Sequence, residues 1–494
     1  MGEPETNDDN VLRQQRIEKL NSLREQGIDP YPHNFQQDHQ IGDIISQYEQ
    51  QLDAEEETDV EVNVAGRIMA FRDMGKACFL DIKDSTGKIQ GYTSVDQLGE
   101  EEYELLKELD IGDFIGAHGI VFKTRRGELT IKVDQFQLLS KSLRPLPEKW
   151  HGLKDVEKRY RQRSLDILTN PEVKEAFVKR SKLMTEFRRF LDHKGFLEVE
   201  TPVIQPMAGG ATAEPFVTHH NALNQDFYLR IAPELYLKRL VIGGMEKVYE
   251  MGKNFRNEGV SSQHNPEFTT IEIYRAYADY RDAMDLTREL ILEGARGILE
   301  SLNLPYQGME IDLSPPWEEV SMIDSVSDLL GVDLLDAEPQ TIIEAASKAD
   351  LDLPEESDEL NAGELIAEIF EEYIEPNLIQ PTFVTDFPTE ISPLAKTKRQ
   401  GTKKLTERFE VFIGTLEIAN AFTELNDPLE QRERLGKQAD AERDQEFLEA
   451  LEYGMPPTAG IGIGIDRLLM ALTDSDSIRD VILFPTLKRK QSEQ

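Results

Sequence analysis

The stretch from Lys253 to Tyr277, KNFRNEGVSSQHNPEFTTIEIYRAY, constrains the fold of this chain more than any other. Residues that favour strands flank a polar loop, so the pattern predicts an antiparallel hairpin with a long tip. A strand period of two puts Arg256 and Glu258 on one face of the first strand. The matching face of the second strand carries Phe268, Thr270, Glu272 and Tyr274. This face is either solvated and covered with surface ion pairs or built to bind a charged ligand, because buried charges need partners.

The length and the net charge of the chain limit its domain number and its possible partners. A chain of 494 residues predicts two or more domains. Its net charge of −39, from 94 acidic and 55 basic residues, argues against a polyanionic partner unless the acid is an adaptation to concentrated intracellular salt. The acidic residues are dispersed, which favours the salt interpretation.

The single cysteine, Cys78, excludes an internal disulfide and is expected in a core. The absence of a long apolar run predicts a cytoplasmic protein.

The N-terminal part reads as one small β domain. Residues 1–59 contain an amphipathic helix, Asn10–Gln26, and a lead-in, and its basic residues favour either a solvated face or contact with a nucleic acid. Residues 60–142 contain five short strands with a helix, Glu100–Glu108, between the third and fourth, as in an OB-fold barrel that binds single-stranded oligonucleotides. The candidate contacts on its open face are Arg67, Phe79 and Gln90.

The second domain is predicted to be α+β and to cover residues 165–494, after a proline-broken linker at 143–164. It begins with a helix, Val173–Lys194, followed by the strand FLEVETPVIQP. A loop of small residues from Met207 to Phe216 leads to a helix, Ala232–Leu240. Residues 318–375 have helical periodicity without apparent chemistry, so they are interpreted as a helical insertion.

A second hairpin, Arg408–Asp427, is predicted to turn at Gly414-Thr415. Pairing outward from that turn makes Glu410 and Glu417 diagonal neighbours, which repel unless a cation such as Mg²⁺ lies between them. Asn420, Phe422 and Glu424 alternate with one another, but strict alternation would turn them away from Glu417. A β-bulge between residues 417 and 420 is therefore expected if both groups serve one site.

The segment Gly460–Leu472, GIGIGIDRLLMAL, combines a glycine-rich strand with a helix. Glycine at alternate positions clears one face of the strand for a ligand, while the isoleucines pack behind it. Arg467 stands where the helix begins, and a helix N-terminus with an arginine suits a phosphate group.

These features occur in the order of the three motifs of class II aminoacyl-tRNA synthetases, and the preceding barrel resembles subclass IIb. The finer sequence resembles the lysyl-tRNA synthetases of bacterial type over residues 10–489. The matching segments are PFVTHHN, LRIAPELYLKRL, FRNEG, HNPEFT, EIYRAYADY, LIQPTF, SPLAK, EIANAFTELNDP, ALEYGMPPTAG and IRDVILFP.

The resemblance implies the attachment of L-lysine to tRNA(Lys) through a lysyl-adenylate formed from ATP. It implies catalytic roles for Arg256 and Arg467 and a magnesium site at Glu410 and Glu417. The implied ATP-binding residues are Arg256, Glu258, His264, Asn265, Phe268, Glu410 and Arg467. The implied lysine-binding residues are Gly210, Glu234, Glu272, Tyr274, Asn420, Phe422 and Glu424. The resemblance also implies an anticodon-binding barrel and a homodimer formed through the helix and strand of motif 1.

Three alternatives remain at this point. An aspartyl- or asparaginyl-tRNA synthetase would keep the motifs but place cations in the pocket. A lysine ligase acting on a protein would match the second domain alone, and a non-catalytic binding protein would have lost Arg256, Glu417 or Arg467. The sequence departs from the pattern at Glu214, Gln263 and Gln135, which puts single phosphate and anticodon contacts in doubt.

The acidic composition leads to a prediction about salt. At low ionic strength the dispersed carboxylates repel one another, whereas molar KCl screens charges beyond about 3 Å. We therefore expect the midpoint of thermal unfolding to rise as KCl is raised from millimolar to molar concentrations. A midpoint that stays level or falls would contradict a halophilic origin of the net charge of −39.

Overall fold

A computed structural model describes residues 7–147, 155–211, 213–400, 402–436 and 444–488. Contacts within the chain divide it into two compact units, with the division after Arg159. That position falls inside the predicted linker at 143–164, of which residues 148–154 lie outside the described residues.

The N-terminal unit is a closed five-stranded barrel with the strand order β1-β2-β3-β5-β4. Its elements are α1 (Asn7–Glu25), α2 (Ile41–Tyr48), β1 (Glu57–Asp73), β2 (Ala77–Lys83), β3 (Lys88–Ser94), α3 (Val95–Leu98), α4 (Glu100–Lys107), β4 (Phe114–Lys123) and β5 (Leu129–Ser140). The predicted five strands and the helix between the third and fourth are confirmed. Cys78 is 1% exposed in the barrel core, as expected.

The leading helix α1 uses two of its cations within its own unit. Arg16 donates hydrogen bonds to the carbonyl oxygens of Ser142, Arg144 and Ile111. Lys19 contacts Asp110 at 3.0 Å. These two side chains therefore fix the helix to the barrel. This structural role differs from the predicted solvated face or contact with a nucleic acid.

The second unit is built on an eight-stranded sheet with the order β14-β15-β16-β17-β18-β11-β10-β6. Its strands are β6 (Leu197–Glu198), β7 (Ile204–Gln205), β8 (Val217–His220), β9 (Gln225–Leu229), β10 (Lys247–Phe255), β11 (Glu267–Ala276), β12 (Asn303–Tyr306), β13 (Met309–Asp312), β14 (Glu318–Ser321), β15 (Thr382–Thr385), β16 (Arg408–Ile413), β17 (Leu416–Thr423) and β18 (Thr458–Gly464). A pair, β12-β13, and a three-stranded sheet, β7-β9-β8, lie outside the main sheet.

Helix α5 (Val156–Arg161) spans the division between the two units. The helices of the second unit are α6 (Arg163–Thr169), α7 (Pro171–His193), α8 (Glu234–Ile242), α9 (Tyr280–Ile298), α10 (Met322–Leu330), α11 (Pro339–Lys348), α12 (Ala362–Tyr373), α13 (Pro428–Leu435), α14 (Gln445–Glu452) and α15 (Ile465–Thr473). Helices α7, α9 and α15 pack with the sheet in one large apolar core. Helices α10, α11 and α12 confirm the helical character of the predicted insertion, although its first four residues form the edge strand β14. None of the helices in the described ranges is long and apolar enough to cross a membrane.

The central hairpin is confirmed, with one correction. Strands β10 and β11 pair in register from Lys247↔Arg275 to Phe255↔Glu267. The first strand ends at Phe255, so Arg256 and Glu258 lie in the loop and not on a strand face as predicted. Pro266 causes the early end, because its nitrogen carries no hydrogen and cannot extend the ladder. Its carbonyl oxygen still accepts a hydrogen bond from the Arg256 backbone at 2.9 Å.

The segment FLEVETPVIQP is not the single strand that was predicted. It contains two two-residue strands, of which β6 pairs in parallel with β10 and β7 pairs with β9. Pro202 lies between them and removes the hydrogen-bond donor that a continuous ladder would need. The hairpin of β8 and β9 that follows was not predicted.

The second hairpin turns as predicted, with Gly414 and Thr415 at φ values of 62° and 67°. Phe412 pairs with Glu417, but the next pair is Val411 with Ala419. Ile418 is thus the extra residue of a β-bulge, which confirms the predicted irregularity between residues 417 and 420.

Candidate active site

One face of the main sheet lines a cavity of about 1810 Å³ in the second unit. The register explains how the strands contribute to it, because Glu272 pairs with Gly462 and Gly462 also pairs with Asn420. Among the predicted site residues, the cavity is lined by Gly210, Glu234, Arg256, Glu258, His264, Asn265, Phe268, Glu272, Tyr274, Glu417, Asn420, Phe422 and Arg467. Glu410 and Glu424 are not part of the lining and lie behind it.

The glycines of β18 keep this face open. Gly460, Gly462 and Gly464 line the cavity, whereas Ile461 and Ile463 are buried in the core on the other side. A Cβ atom added at Gly462 would meet its nearest atoms at 3.7 and 3.9 Å, which are ordinary contacts. The same atom at Gly460 would lie 2.0 Å from Glu424 Oε1. The strand therefore leaves room for a ligand at one glycine and for a carboxylate at another.

Arg256 and Phe268 form one side of the cavity. The guanidinium carbon of Arg256 lies 5.1 Å from the centre of the Phe268 ring. Within the described part of the chain, Arg256 Nε is buried and has no hydrogen-bond partner. An arginine with unused donors next to an aromatic face can bind a phosphate or carboxylate group beside a planar base.

Arg467 lies in the first turn of α15 and joins two predicted site residues. Its Nη1 atom lies 2.9 Å from Glu417 Oε2, and its Nη2 atom lies 3.0 Å from His264 Nε2. Burial, and then the charge of Arg467, lower the pKa of His264, so the ring is neutral at pH 7. Ser261 Oγ lies 2.9 Å from the other ring nitrogen. This network places an arginine, a neutral histidine and a helix N-terminus together, as a polyphosphate requires.

Glu410 and Glu417 are close enough to influence each other. Burial, and then the charge of Glu417, raise the pKa of Glu410 to about 8. Arg408 opposes this rise and donates a hydrogen bond to Glu410 Oε1 at 2.7 Å. No group of three or more His, Cys, Asp or Glu side chains in the described residues is arranged to hold a metal alone. Two carboxylates nevertheless fit Mg²⁺, which takes its other ligands from phosphate oxygens and water.

The other end of the cavity is acidic. Burial, and then the charge of Glu234, raise the pKa of Glu272 to about 8. The Tyr274 hydroxyl donates to Glu272 Oε2 at 3.4 Å. Gly210 adopts a φ of 89°, and its α carbon closes the pocket against Glu234 and Ala232 without a side chain between them. An acidic, buried pocket of this kind is suited to ammonium groups.

Lys238 is fully buried in α8 and was not among the predicted site residues. It donates a hydrogen bond to Glu234 Oε1 at 2.5 Å, and its Nζ atom lies 2.5 Å from Glu424 Oε2. The spacing of four residues between Glu234 and Lys238 was a usable signal for the first contact. Contact with Glu424 depends on the fold and had no signal in the sequence. Arg230 and its buried partner Glu250 were missed for the same reason.

In the N-terminal unit the three candidate anticodon residues all contact other residues of the barrel. Gln90 is 8% exposed and accepts a hydrogen bond from Thr130 at 3.2 Å. Arg67 stacks on Phe114 at 4.1 Å and donates to the Gly112 carbonyl oxygen at 2.9 Å. Phe79 lies 5.1 Å from the Tyr92 ring. These residues are engaged within the barrel, and their role toward a nucleic acid stays a prediction.

Comparison with known proteins defines the class. Residues 155–488 match the family model "tRNA synthetases class II (D, K and N)". Residues 62–139 match the model "OB-fold nucleic acid binding domain". The second unit is thus that of a class II tRNA synthetase.

Relatives with known names narrow this class. The chain is 53% identical to the lysine–tRNA ligase of Carboxydothermus hydrogenoformans, over 97% of this chain and 98% of that protein. The lysine–tRNA ligase of Pelotomaculum thermopropionicum is 53% identical over 98% and 96%, and that of Clostridium perfringens 52% over 98% and 97%. The chain belongs to the lysine–tRNA ligase family.

The two glycines offer a matched test of the cavity. We expect Gly460→Ala to destabilise the second unit by about 1–3 kcal/mol, because its Cβ atom overlaps a fully buried carboxylate. Gly462→Ala is expected to unfold at the same temperature as the wild type, because its Cβ atom has room, but to bind ATP and lysine poorly. Thermal unfolding and titration calorimetry measure the two effects. Equal thermal midpoints for both variants would show that the contact at Gly460 is wrong.

Proposed function

We propose that this chain is an ATP-dependent lysine–tRNA ligase that acts through the cavity of the second unit. It attaches L-lysine to the 3′ end of tRNA and forms AMP and diphosphate. The single observation that carries the choice of amino acid is the set of three buried carboxylates, Glu234, Glu272 and Glu424, at one end of the cavity. The family relationship supports the overall reaction.

In the first step the carboxylate of lysine attacks the α-phosphorus of ATP and displaces diphosphate. The nucleophile is already ionised, so the site needs no general base and acts by positioning and by neutralising charge. Arg256 binds the α-phosphate together with the lysine carboxylate, and Asn420 assists at the carboxylate. Phe268 stacks on the adenine, with Glu258, His264 and Asn265 around the nucleotide. Arg467 binds the distal phosphates.

Magnesium is the cofactor that the carboxylate pair fits. Glu410 and Glu417 would hold it, and when bound it neutralises charge on the phosphate oxygens. The pKa of Glu410, raised by burial and by Glu417, is consistent with a carboxylate that needs a nearby cation to be ionised at neutral pH. Arg408 supplies part of that positive charge from within the chain.

The pocket residues divide between the two ammonium groups of lysine. Gly210, Glu234 and Glu272 suit the α-ammonium, and Tyr274, Phe422 and Glu424 suit the ε-ammonium. A pocket for aspartate or asparagine would require a cation or amide donors in the place of these carboxylates. The barrel of the N-terminal unit, with Arg67, Phe79 and Gln90, is proposed to bind the anticodon, which a lysine ligase acting on proteins would not need. Because its substrates are tRNA and ATP, the proposed activity is a cytoplasmic one.

The second unit also has an exposed apolar surface that supports a homodimer. Its residues are at least 41% exposed and lie on or beside the short strands that follow α7. They are Leu197, Val203, Ile204, Val217 and Leu223. Apolar side chains grouped in this way on a water-soluble unit mark an interaction surface. We propose that a second copy of the chain covers them.

The reaction predicts a large effect of Arg256→Ala. Because this arginine binds the group at which charge develops, we expect lysine-dependent ATP–diphosphate exchange to fall by about 100-fold or more. Arg239→Ala is a suitable control, because Arg239 forms an exposed ion pair with Glu446 at 3.2 Å and lies outside the cavity lining. Exchange that persists in Arg256→Ala while tRNA charging falls would remove Arg256 from the α-phosphate.

The dimer predicts a change of mass with one substitution. Ile204 is 53% exposed, and we expect Ile204→Glu to shift sedimentation from dimer to monomer, because a charge at an apolar interface is costly to bury. Leu429→Glu is the control, since Leu429 is 74% exposed on α13 and is not part of the proposed surface. A wild-type chain that sediments as a monomer, or a variant that remains dimeric, would contradict the proposal.

A further inference from the structure

Lys238 connects the two ends of the proposed lysine pocket. Its Nζ atom lies 2.5 Å from Glu234 Oε1 and 2.5 Å from Glu424 Oε2, and it is 0% exposed. The rings of Phe422 and Phe447 lie 5.5 and 5.8 Å from the same nitrogen atom. Two carboxylates and two aromatic faces thus surround one ammonium that belongs to the chain itself.

The second carboxylate oxygen of Glu424 has no such partner. Among the described residues, neither Glu424 oxygen accepts a hydrogen bond of acceptable geometry. Oε2 is held by the charge of Lys238 at 2.5 Å, whereas Oε1 has no contact of either kind, although the side chain is 0% exposed. This oxygen lies in the space above Gly460, next to the ring of Tyr274. Gly460 and Tyr274 both line the cavity, so this oxygen lies immediately behind the cavity wall. A buried carboxylate oxygen without a donor is costly and marks a position for a cation or a donor.

Lys238 also lowers the free-energy cost of a charge on Glu424. Burial raises the pKa of Glu424 well above its ordinary value, and the Lys238 ammonium opposes this rise. Burial by itself would lower the pKa of Lys238, but Glu234 and Glu424 outweigh it and raise that pKa above its ordinary value. Lys238 is therefore a permanent cation in the pocket. Its charge alone does not bring the pKa of Glu424 down to the ordinary range, so ionisation of Glu424 needs a second cation such as the ε-ammonium of lysine.

We propose that Lys238 is a positioning residue that makes the pocket selective for a side-chain ammonium. This inference rests on the proposed function. Lys238 fixes Glu424 through Oε2 and leaves Oε1 for the ε-ammonium of the substrate, while its contact with Glu234 orients the carboxylate of the α-ammonium site.

A count of charges supports this role. Glu234, Glu272 and Glu424 contribute three negative charges when ionised, and Lys238 contributes one positive charge, which leaves two negative charges. Lysine brings two ammonium groups, and its carboxylate is paired with Arg256 outside this count. The two ammonium groups of lysine favour the ionised form of all three carboxylates, because opposite charges lower a carboxyl pKa, and the pocket is then neutral. An amino acid with an uncharged side chain leaves one buried negative charge unpaired or one carboxyl protonated.

Without Lys238 the cost of ionising Glu424 would be larger, because one of the two cations beside it would be lost. Glu424 is the most deeply buried of the three carboxylates, so it would stay protonated even with lysine in the pocket. The ε-ammonium would then meet an uncharged carboxyl group, and the preference for lysine over uncharged analogues would fall. The arginines at the ATP end would be unaffected, because they do not contact Lys238.

The test is ATP–diphosphate exchange by the full chain with Lys238→Met, which keeps the side-chain stem and removes the charge. The substrates are lysine and 2-aminoheptanoate, in which a methyl group replaces the ammonium. We expect the KM for lysine to rise by about 30-fold or more, and the preference for lysine to fall by a similar factor, because a buried ion pair is lost. The KM for ATP and the kcat at saturating lysine are expected to stay within about threefold of the wild type. Arg239→Met, one residue along the same helix, is the matched control and is expected to change none of these values.

A second pair of variants decides the case if Lys238→Met does not fold. Glu424→Gln and the double variant Glu424→Gln with Lys238→Met both lack the buried unpaired carboxylate of Glu424. If Lys238 sets the selectivity through Glu424, the two variants have the same preference for lysine over 2-aminoheptanoate within about threefold, because effects that pass through one group are not additive. The preference is compared and not the KM for lysine, since Lys238 also contacts Glu234. A preference for lysine that is a further tenfold or more lower in the double variant than in Glu424→Gln overturns the proposal.

The remaining outcomes are distinct. Wild-type chain without lysine-dependent exchange refutes the proposed function itself. Active wild type with an unchanged lysine KM in Lys238→Met overturns only the role of Lys238. A variant in which the KM for ATP, kcat and the thermal midpoint all worsen together with no change in preference assigns Lys238 a purely structural role and also overturns the proposal.

Discussion

The second unit depends on one constraint, which is that a sheet face in the middle of an antiparallel core must stay free of side chains. Gly460 and Gly462 meet it, and their neighbours on the paired strands then reach across the cleared face. Glu272 and Asn420 face each other over Gly462 for this reason. Because the isoleucines between the glycines are buried on the other side, the same strand anchors the core and opens the cavity.

Buried charge is the cost of this arrangement, and the chain offsets it with internal partners. Arg408 pairs with Glu410, Arg467 with Glu417, and Lys238 with Glu424. Each pair leaves one side of a charged group available, as at Glu424 Oε1. Such pairs stabilise the fold little but hold the groups in place before a ligand arrives, which is what catalysis by positioning requires. Charged groups are therefore held in fixed positions at both ends of the cavity.

Strand periodicity was enough to predict much of this. The alternation of Phe268 and Glu272 and the turn at Gly414 follow from local geometry, and the bulge at Ile418 followed from the demand that two faces serve one site. Prediction failed where proline interrupts a pattern that otherwise favours a strand, as at Pro202. It also failed where a charge finds its partner only through tertiary contact. Lys238 and Glu424 lie far apart in the sequence, and no periodicity joins them.

The acidity of the chain and the cations of the site belong to different places. Arg408 and Arg467 line the cavity and are paired with Glu410 and Glu417, so they do not depend on the surface charge for their position. In concentrated salt a charge is screened within about 3 Å, which removes long-range attraction for tRNA but leaves buried contacts unchanged. A surface of net charge −39 can therefore coexist with a phosphate-binding site, provided that recognition relies on direct contacts. The mutual pairing of site residues is what makes that separation between surface and site possible.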